Sequence, residues 1–190
     1  MRDDKSNNYD VLVLLSGGLD STACTYYYIN MGLKVKALFI AYGQRANKIE
    51  YRCANNIAKY FGIPLDCFRF EGKAEFLQGE IKGRNAFLAL SALLANPEFK
   101  GLISMGIHSG TPYYDCSVAF IQEMNRILEG YTDGRVILAA PFLKWDKRMI
   151  YNYFKDNGLP FHLTYSCEDG TDFPCGKCPS CQDRCALNAC

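Results

Sequence analysis

Apolar residues fall in short blocks separated by glycine-punctuated breaks, and the blocks alternate between two periods. Residues 11–15 form an unbroken run of five apolar side chains, the pattern of a parallel strand buried on both faces. Residues 35–42 (VKALFIAY) repeat it, and 65–70, 102–106 and 136–140 are shorter candidates of the same kind. Between them lie helical stretches. Residues 21–31 end at Gly32, and residues 46–60 set Ile49, Cys53, Ile57 and Tyr60 near helical spacing before Gly62 and Pro64. Residues 86–94 are apolar enough to pack on a sheet, 117–129 are amphipathic, and 146–157 end at Asn157-Gly158. Strand alternating with helix predicts an α/β fold with a doubly wound, mostly parallel sheet and right-handed crossovers. The polar residues 1–8 predict a flexible leader without the apolar region of a signal peptide. An α/β domain then spans 9–160, and 161–190 form a C-terminal segment of the same compact unit.

Composition narrows the function classes. The chain has 190 residues, 49% of them apolar, and a net charge of +1 from 21 basic and 20 acidic side chains. Without a global positive charge, direct nucleic-acid binding is not expected. No apolar run approaches a membrane span. Of ten cysteines, Cys24, Cys53, Cys67 and Cys116 are scattered, while six crowd between 167 and 190. That distribution fits a reducing cytoplasm and a metal site better than a disulfide scaffold.

The chemistry starts at the end of the first strand. Ser16-Gly17-Gly18-Leu19-Asp20-Ser21 follows it directly and opens a helix. Two glycines let the backbone reverse, and the free N–H groups of the turn and the first helical turn then face an anion. The spacing is neither GxGxxG nor GxxxxGK[ST]. A second concentration of chemistry is Cys167-x7-Cys175-x2-Cys178-x2-Cys181, four thiols within fifteen residues. Tetrahedral sulfur coordination suits zinc, with an iron–sulfur cluster as the chemical rival. Cys185 reads as a core residue or spare ligand, and Cys190 as unligated.

Residues 16–21 resemble the SGGxDS loop of the PP-loop ATP-pyrophosphatases, which fold like the adenine-nucleotide hydrolases. With YGQR at 42–45, GRN at 83–85, YYDC at 113–116, Pro141-Phe142 before Lys147, the cysteine set and Arg184, the chain resembles the 7-cyano-7-deazaguanine synthase family. The resemblance implies an ATP-dependent C–N ligase of queuosine biosynthesis, a zinc-containing homodimer. It would convert 7-carboxy-7-deazaguanine and ammonia through an adenylate and an amide to the nitrile, releasing AMP and pyrophosphate. Ser16, Gly17, Gly18, Leu19, Asp20 and Ser21 would hold ATP, Asp20 would also place magnesium, and Phe39 and Ala41 would line the adenine side. Arg45, Arg84 and Lys147 are the candidate cations for the leaving pyrophosphate, though each also reads as a surface cation. Asn85, His108, Tyr114 and Asp115 are the candidates for the substrate base, with Asp115 facing its N1–H and amine.

The sequence departs from that family at several positions. Ala46 replaces a usual histidine, Ser109 a usual acid, Thr111-Pro112 a Ser-Gly pair, Lys82 a proline, and Tyr114 and Ser117 the familiar proline and arginine. The ATP side is complete and the acceptor side altered. A paralogue that stops at the amide, or joins the carboxylate to another amine in antiviral defence, is therefore an alternative. So are a PP-loop tRNA thiolase and, from a different class, a non-catalytic zinc interaction protein.

Overall fold

A computed structural model describes residues 9–72, 76, 79–110 and 112–187. The leader at 1–8, Thr111 and Cys190 lie outside the described residues, as does part of the polar stretch 71–83.

Five strands, β1 (Val11–Leu14), β2 (Val35–Ala41), β3 (Leu65–Arg69), β4 (Gly101–Ser104) and β5 (Val136–Ala139), form one sheet in the order β3-β2-β1-β4-β5. Every pairing is parallel, with Val13 opposite both Ala37 and Ser104. Parallel neighbours need crossovers, which α1 (Leu19–Asn30), α2 (Asn47–Phe61), α3 (Arg84–Ala95) and α4 (Val118–Thr132) supply; α5 (Lys147–Asp156) and α6 (Pro179–Ala186) follow the last strand.

Strand alternation explains the two layers of helices. Val11, Val13, Ala37 and Phe39 point to one face and pack with α1, α2 and α5, whose contributions include Ala23, Ile57 and Phe154. Leu12, Leu14, Leu38 and Ile40 point to the other and meet Ala89 and Ala92 of α3 and Phe120, Met124 and Leu128 of α4. Both faces are thus covered, which is why the strands are continuous apolar runs. Burying a side chain such as Leu12 or Phe39 contributes about 1.5–3 kcal/mol each.

Element ends shift by a few residues from the sequence expectation, as at α3 and α4, and two of the differences have clear physical reasons. Helix α1 begins at Leu19 rather than 21, because Gly18 at φ −84 and ψ 171 is already its N-cap. The C-terminal segment also carries regular structure that its pattern does not announce, a 3-10 turn at Phe161–Leu163 and α6, which starts with Pro179 at its first position. Proline there gives up no helical hydrogen bond. Among the described residues no helix is long and apolar enough to cross a membrane.

The chain runs from β1 outward through β2 and β3, then crosses back to β4 on the other side of β1. The crevice at that reversal, beyond the C-terminal ends of β1, β2 and β4, is where an open α/β sheet leaves room for a ligand.

Candidate active site

The turn between β1 and α1 is locked from inside and outside. Inside, Ser16 N–H donates to Ser21 Oγ at 3.2 Å, the two hydroxyls lie 3.0 Å apart, and Gly18 N–H approaches Ser16 Oγ at 3.4 Å. Thr22 Oγ1 and Ser21 Oγ both donate to Gly18 O, at 2.7 and 3.2 Å. Outside, Gly17 presses on α2: a Cβ there would stand 2.7 Å from Glu50 O and 2.9 Å from Ala54 N, and its φ of +84 belongs to the left-handed region. Tyr165 N–H donates to Gly17 O at 2.9 Å from the C-terminal segment. The turn opens at the N-terminus of α1, where the helix dipole favours a negative ligand.

Two contiguous lobes of about 280 and 340 Å³ spread in front of this turn, and both are lined by Ser16, Gly18, Asp20, Arg84 and Lys147. One lobe reaches Leu38, Phe39 and Ile40 of β2 and Asn85, Met105 and His108. The other reaches Arg45, Tyr165 and Arg184. Phe39 is 1% exposed and its ring packs on Tyr51, so it offers this lobe its main chain. Ala41 lines neither lobe and belongs to the α2 core, and Leu19 is turned mostly into the core beside α1 and α5.

Asp20 carries the densest electrostatics. Its Oδ2 receives a short hydrogen bond from Lys147 Nζ and lies 3.9 Å from His108 Nε2. Its Oδ1 is buried and has no hydrogen-bond partner among the described residues. A buried carboxylate oxygen without a donor suits a cation, and magnesium takes such oxygen ligands. Burial pushes the pKa of His108 down, against the opposing pull of Asp20.

Arg84 stands at the start of α3 beside Tyr42 and Glu50, while Arg45 is directed to Asp169 at 3.7 Å. Asn85 lines the cavity, but its side-chain amide donates to Asp115 O at 3.1 Å. Asp115 Oδ2 in turn accepts from Asn85 N at 3.3 Å. Asp115 therefore serves the N-terminus of α3 from a distant loop, and neither it nor Tyr114, which is 62% exposed, lines either lobe.

Some cavity groups were not singled out as site residues from the sequence. Glu50 is half-buried in the wall, its pKa raised by desolvation against the hydrogen bond from Gln44 Nε2 at 3.1 Å and the charge of Arg84. Glu168 accepts from Gly79 N and Ser180 Oγ, both at 2.8 Å, and lines both lobes. Arg184 lines one lobe, donating to Thr164 O and Ser166 Oγ while stacked 4.1 Å from the Phe161 ring. The signals were present: Gln44 sits in YGQR, Glu168 directly follows Cys167, and Arg184 is one turn beyond Cys181.

The four thiols of Cys167, Cys175, Cys178 and Cys181 converge, with all ligand atoms within 4.8 Å of one another. Tetrahedral bonds of about 2.3 Å put sulfurs roughly 3.8 Å apart, and the Cys175–Cys181 separation is 4.0 Å. Cys175 N–H donates to Cys167 Sγ at 3.3 Å and Cys178 N–H to Cys175 Sγ at 3.4 Å. Burial opposes ionisation of Cys167, yet backbone N–H groups of Cys175 and Asp169 outweigh it and bring the thiol down to about 6. The donor set fits a closed metal site. It packs with Ala46, Ile49 and Tyr165 against the start of α2.

A glycine turn capped by a helix, at the switch point of a 3-2-1-4-5 parallel sheet, places this chain among the PP-loop α/β proteins. Solved structures agree on the fold. A U34-tRNA thiolase NcsA from Methanococcus maripaludis, described with its [4Fe-4S] cluster, matches 92% of this chain with a TM-score of 0.55 at 15% identity. A 4-thiouridine synthetase in complex with RNA and bound ATP matches 91% with a TM-score of 0.56 at 18% identity. The chain spans 64% and 47% of those two proteins. The chain belongs to the QueC family: the model for queuosine biosynthesis protein QueC matches residues 10–79 and 72–188. Relatives named 7-cyano-7-deazaguanine synthase include one from Methanoculleus marisnigri, 32% identical with 90% of each chain covered. Another, from Aquifex aeolicus, is 32% identical over 92% of this chain and 94% of its own.

Proposed function

We propose that this protein activates the carboxylate of 7-carboxy-7-deazaguanine with ATP and converts it with ammonia, through the amide, to 7-cyano-7-deazaguanine. The observation that carries the reading is the convergence of the phosphate turn, the Asp20–Lys147 pair and Arg84 on one cavity. A carboxylate oxygen attacks the α-phosphorus of ATP, pyrophosphate leaves, and the acyl-adenylate loses AMP to ammonia. The amide oxygen is then adenylated in the same way with release of a second pyrophosphate, and loss of AMP and both N–H protons leaves the nitrile.

In this reading the N–H groups of residues 16–21 and the N-terminus of α1 hold the leaving pyrophosphate. Lys147 and Arg84 offset the charge that grows on it. Arg45, turned to Asp169, reaches it by exchanging partners. Asp20 orients Lys147, and its unpartnered Oδ1 would hold Mg²⁺, which lowers the charge repulsion between phosphate oxygens and nucleophile. Cys167, Cys175, Cys178 and Cys181 would hold Zn²⁺, which with four thiolates has no open position and braces the wall. Asn85 and His108 lie on the acceptor side of the cavity.

The test is mass spectrometry of the products from ATP, magnesium, ammonium and 7-carboxy-7-deazaguanine, with pyrophosphate release followed in parallel. Nitrile, AMP and pyrophosphate are expected, and Asp20→Ala abolishes all three. Accumulation of amide would move the protein to the paralogue that stops there. No consumption of the base would overturn the substrate, and turnover only on tRNA would favour a thiolase.

A further inference from the structure

The imidazole of His108 is held by its own loop. Beyond β4 the chain runs through buried Met105 and Ile107 to His108, whose side chain is 11% exposed. Ser109 then clamps the turn to the residue before the N-cap of α5. Its N–H and its hydroxyl both donate to Trp145 O, at 3.0 and 2.7 Å. This clamp aims the N–H of Gly110 at His108 Nδ1, 3.0 Å away. A ring nitrogen that accepts carries no proton, so the single proton of the neutral ring sits on Nε2. Nε2 lies on the cavity side, 3.9 Å from Asp20 Oδ2 and next to the Lys147 ammonium.

Gly110 has its own signature. A Cβ at this position would meet His108 Cε1 and Nδ1, each at 2.9 Å, while the next nearest atom is Lys147 N at 3.6 Å. Its φ lies outside the left-handed region. The backbone therefore has no need of glycine here. The ring does: only a residue without a side chain lets the N–H come within hydrogen-bond distance of Nδ1.

We propose that the turn over residues 108–110 fixes His108 as a standing Nε2–H donor toward the oxygen of the acceptor carboxylate and amide, with Gly110 as its positioning residue. The inference rests on the reading that a carboxylate is activated in this cavity. With Nδ1 turned to the Gly110 N–H and the proton on Nε2, the ring presents a donor and no lone pair to the cavity, so His108 is not the base that deprotonates the incoming amine. It holds its proton throughout. No bond to the ring forms or breaks, and its N–H stabilises charge that develops on oxygen as the tetrahedral stages form.

The chain contains two histidines, His108 and His162, so long-range proton–nitrogen NMR of histidine-labelled protein at pH 8 resolves both rings, and His108→Gln assigns them. The expected result for the wild type is a pure Nε2–H tautomer at His108. Gly110→Ala should melt within a few degrees of the wild type yet show mixed tautomers. His108→Gln, which places an amide N–H where Nε2–H was, should keep kcat within about tenfold, while His108→Ala and Gly110→Ala fall roughly a hundredfold, the scale of losing one such donor. An Nδ1–H tautomer in the wild type would overturn the proposal. So would His108→Gln being as inactive as His108→Ala, since that pattern belongs to a base. Should the wild type leave 7-carboxy-7-deazaguanine untouched, the substrate reading fails, and the NMR measurement still decides the state of the ring. Should Gly110→Ala fail to fold, the wild-type spectrum and the two His108 variants decide alone.

Discussion

Gly17 and Gly18 are neighbours in one turn, and replacing each by alanine should do opposite things. At Gly17 the methyl group meets two obstacles. The φ of +84 is unfavourable for an L residue by about 1–2 kcal/mol. The Cβ would also overlap the α2 backbone at 2.7 Å from Glu50 O and 2.9 Å from Ala54 N, and overpacking of this kind costs about 1–3 kcal/mol. The sum, roughly 2–5 kcal/mol, corresponds to a fall in melting temperature of about 4–20 °C for a chain of this size. At Gly18 the φ of −84 is ordinary, and the nearest atoms to a Cβ are Ser16 Oγ at 3.5 Å and Tyr165 O at 3.6 Å. Gly18→Ala should therefore cost no more than about 1 kcal/mol, the scale of placing alanine at a helix N-cap, while losing ATP affinity, because its side of the turn faces the cavity. Urea denaturation and ATP titration by calorimetry give both readouts on the same samples. A Gly17→Ala protein as stable as the wild type would refute the packing argument, and undiminished ATP binding by Gly18→Ala would refute the orientation of the turn.

Cys178 is fully buried among the four thiols, so Cys178→Ser should lose its bound metal and lower the melting temperature, checked by elemental analysis and thermal unfolding. Unchanged metal content would sink the site. Glu50 has its pKa raised above 4.5 by burial, so the folded state is penalised when the group ionises; the penalty is absent near pH 4.5 and grows as pH rises through the folded-state pKa. Glu50→Gln should thus melt above the wild type at pH 8, with the gap closing toward pH 4.5, and a gap independent of pH would count against this. Asp115→Ala removes the acceptor at the start of α3 and should cost about 1 kcal/mol, the scale of a lost helix cap. Its activity loss should appear together with that instability; a stable variant that has lost only affinity for the base would restore Asp115 to direct recognition.

The sheet was legible in the sequence because both its faces are covered. A strand such as β2, with six of seven positions buried, cannot be written without a run of apolar letters. The phosphate turn and the cysteine set were legible because each packs its chemistry into a few adjacent residues. Asp115 shows what local reading leaves out. Its carboxylate sits beside a tyrosine and a cysteine in the sequence, but its partner is Asn85, thirty positions earlier. Ser117, two residues on, caps α4 through Phe120 N at 3.1 Å. Glu50 and Glu168 were passed over because an acid on a helix or beside a metal ligand ordinarily faces water. Only the fold brings them together in the cavity wall near Arg84.

The same long-range geometry decides what the C-terminal segment contributes. A site closed by four thiolates has no coordination position to offer a substrate, so its influence on the cavity must pass through the residues it holds. Tyr165 N–H fixes Gly17 O and Glu168 accepts from Gly79 N, both outside the segment, while Arg184 ties Thr164 and Ser166 together within it above Phe161. Gly170 adds a close approach, since a Cβ there would stand 2.5 Å from Arg45 O. The segment therefore touches the phosphate turn, the loop before Arg84 and the loop bearing Arg45 at once. Loss of a metal held by these thiols would free all of these walls together, and Cys178→Ser should weaken ATP binding before the sheet, whose core lies elsewhere, begins to unfold.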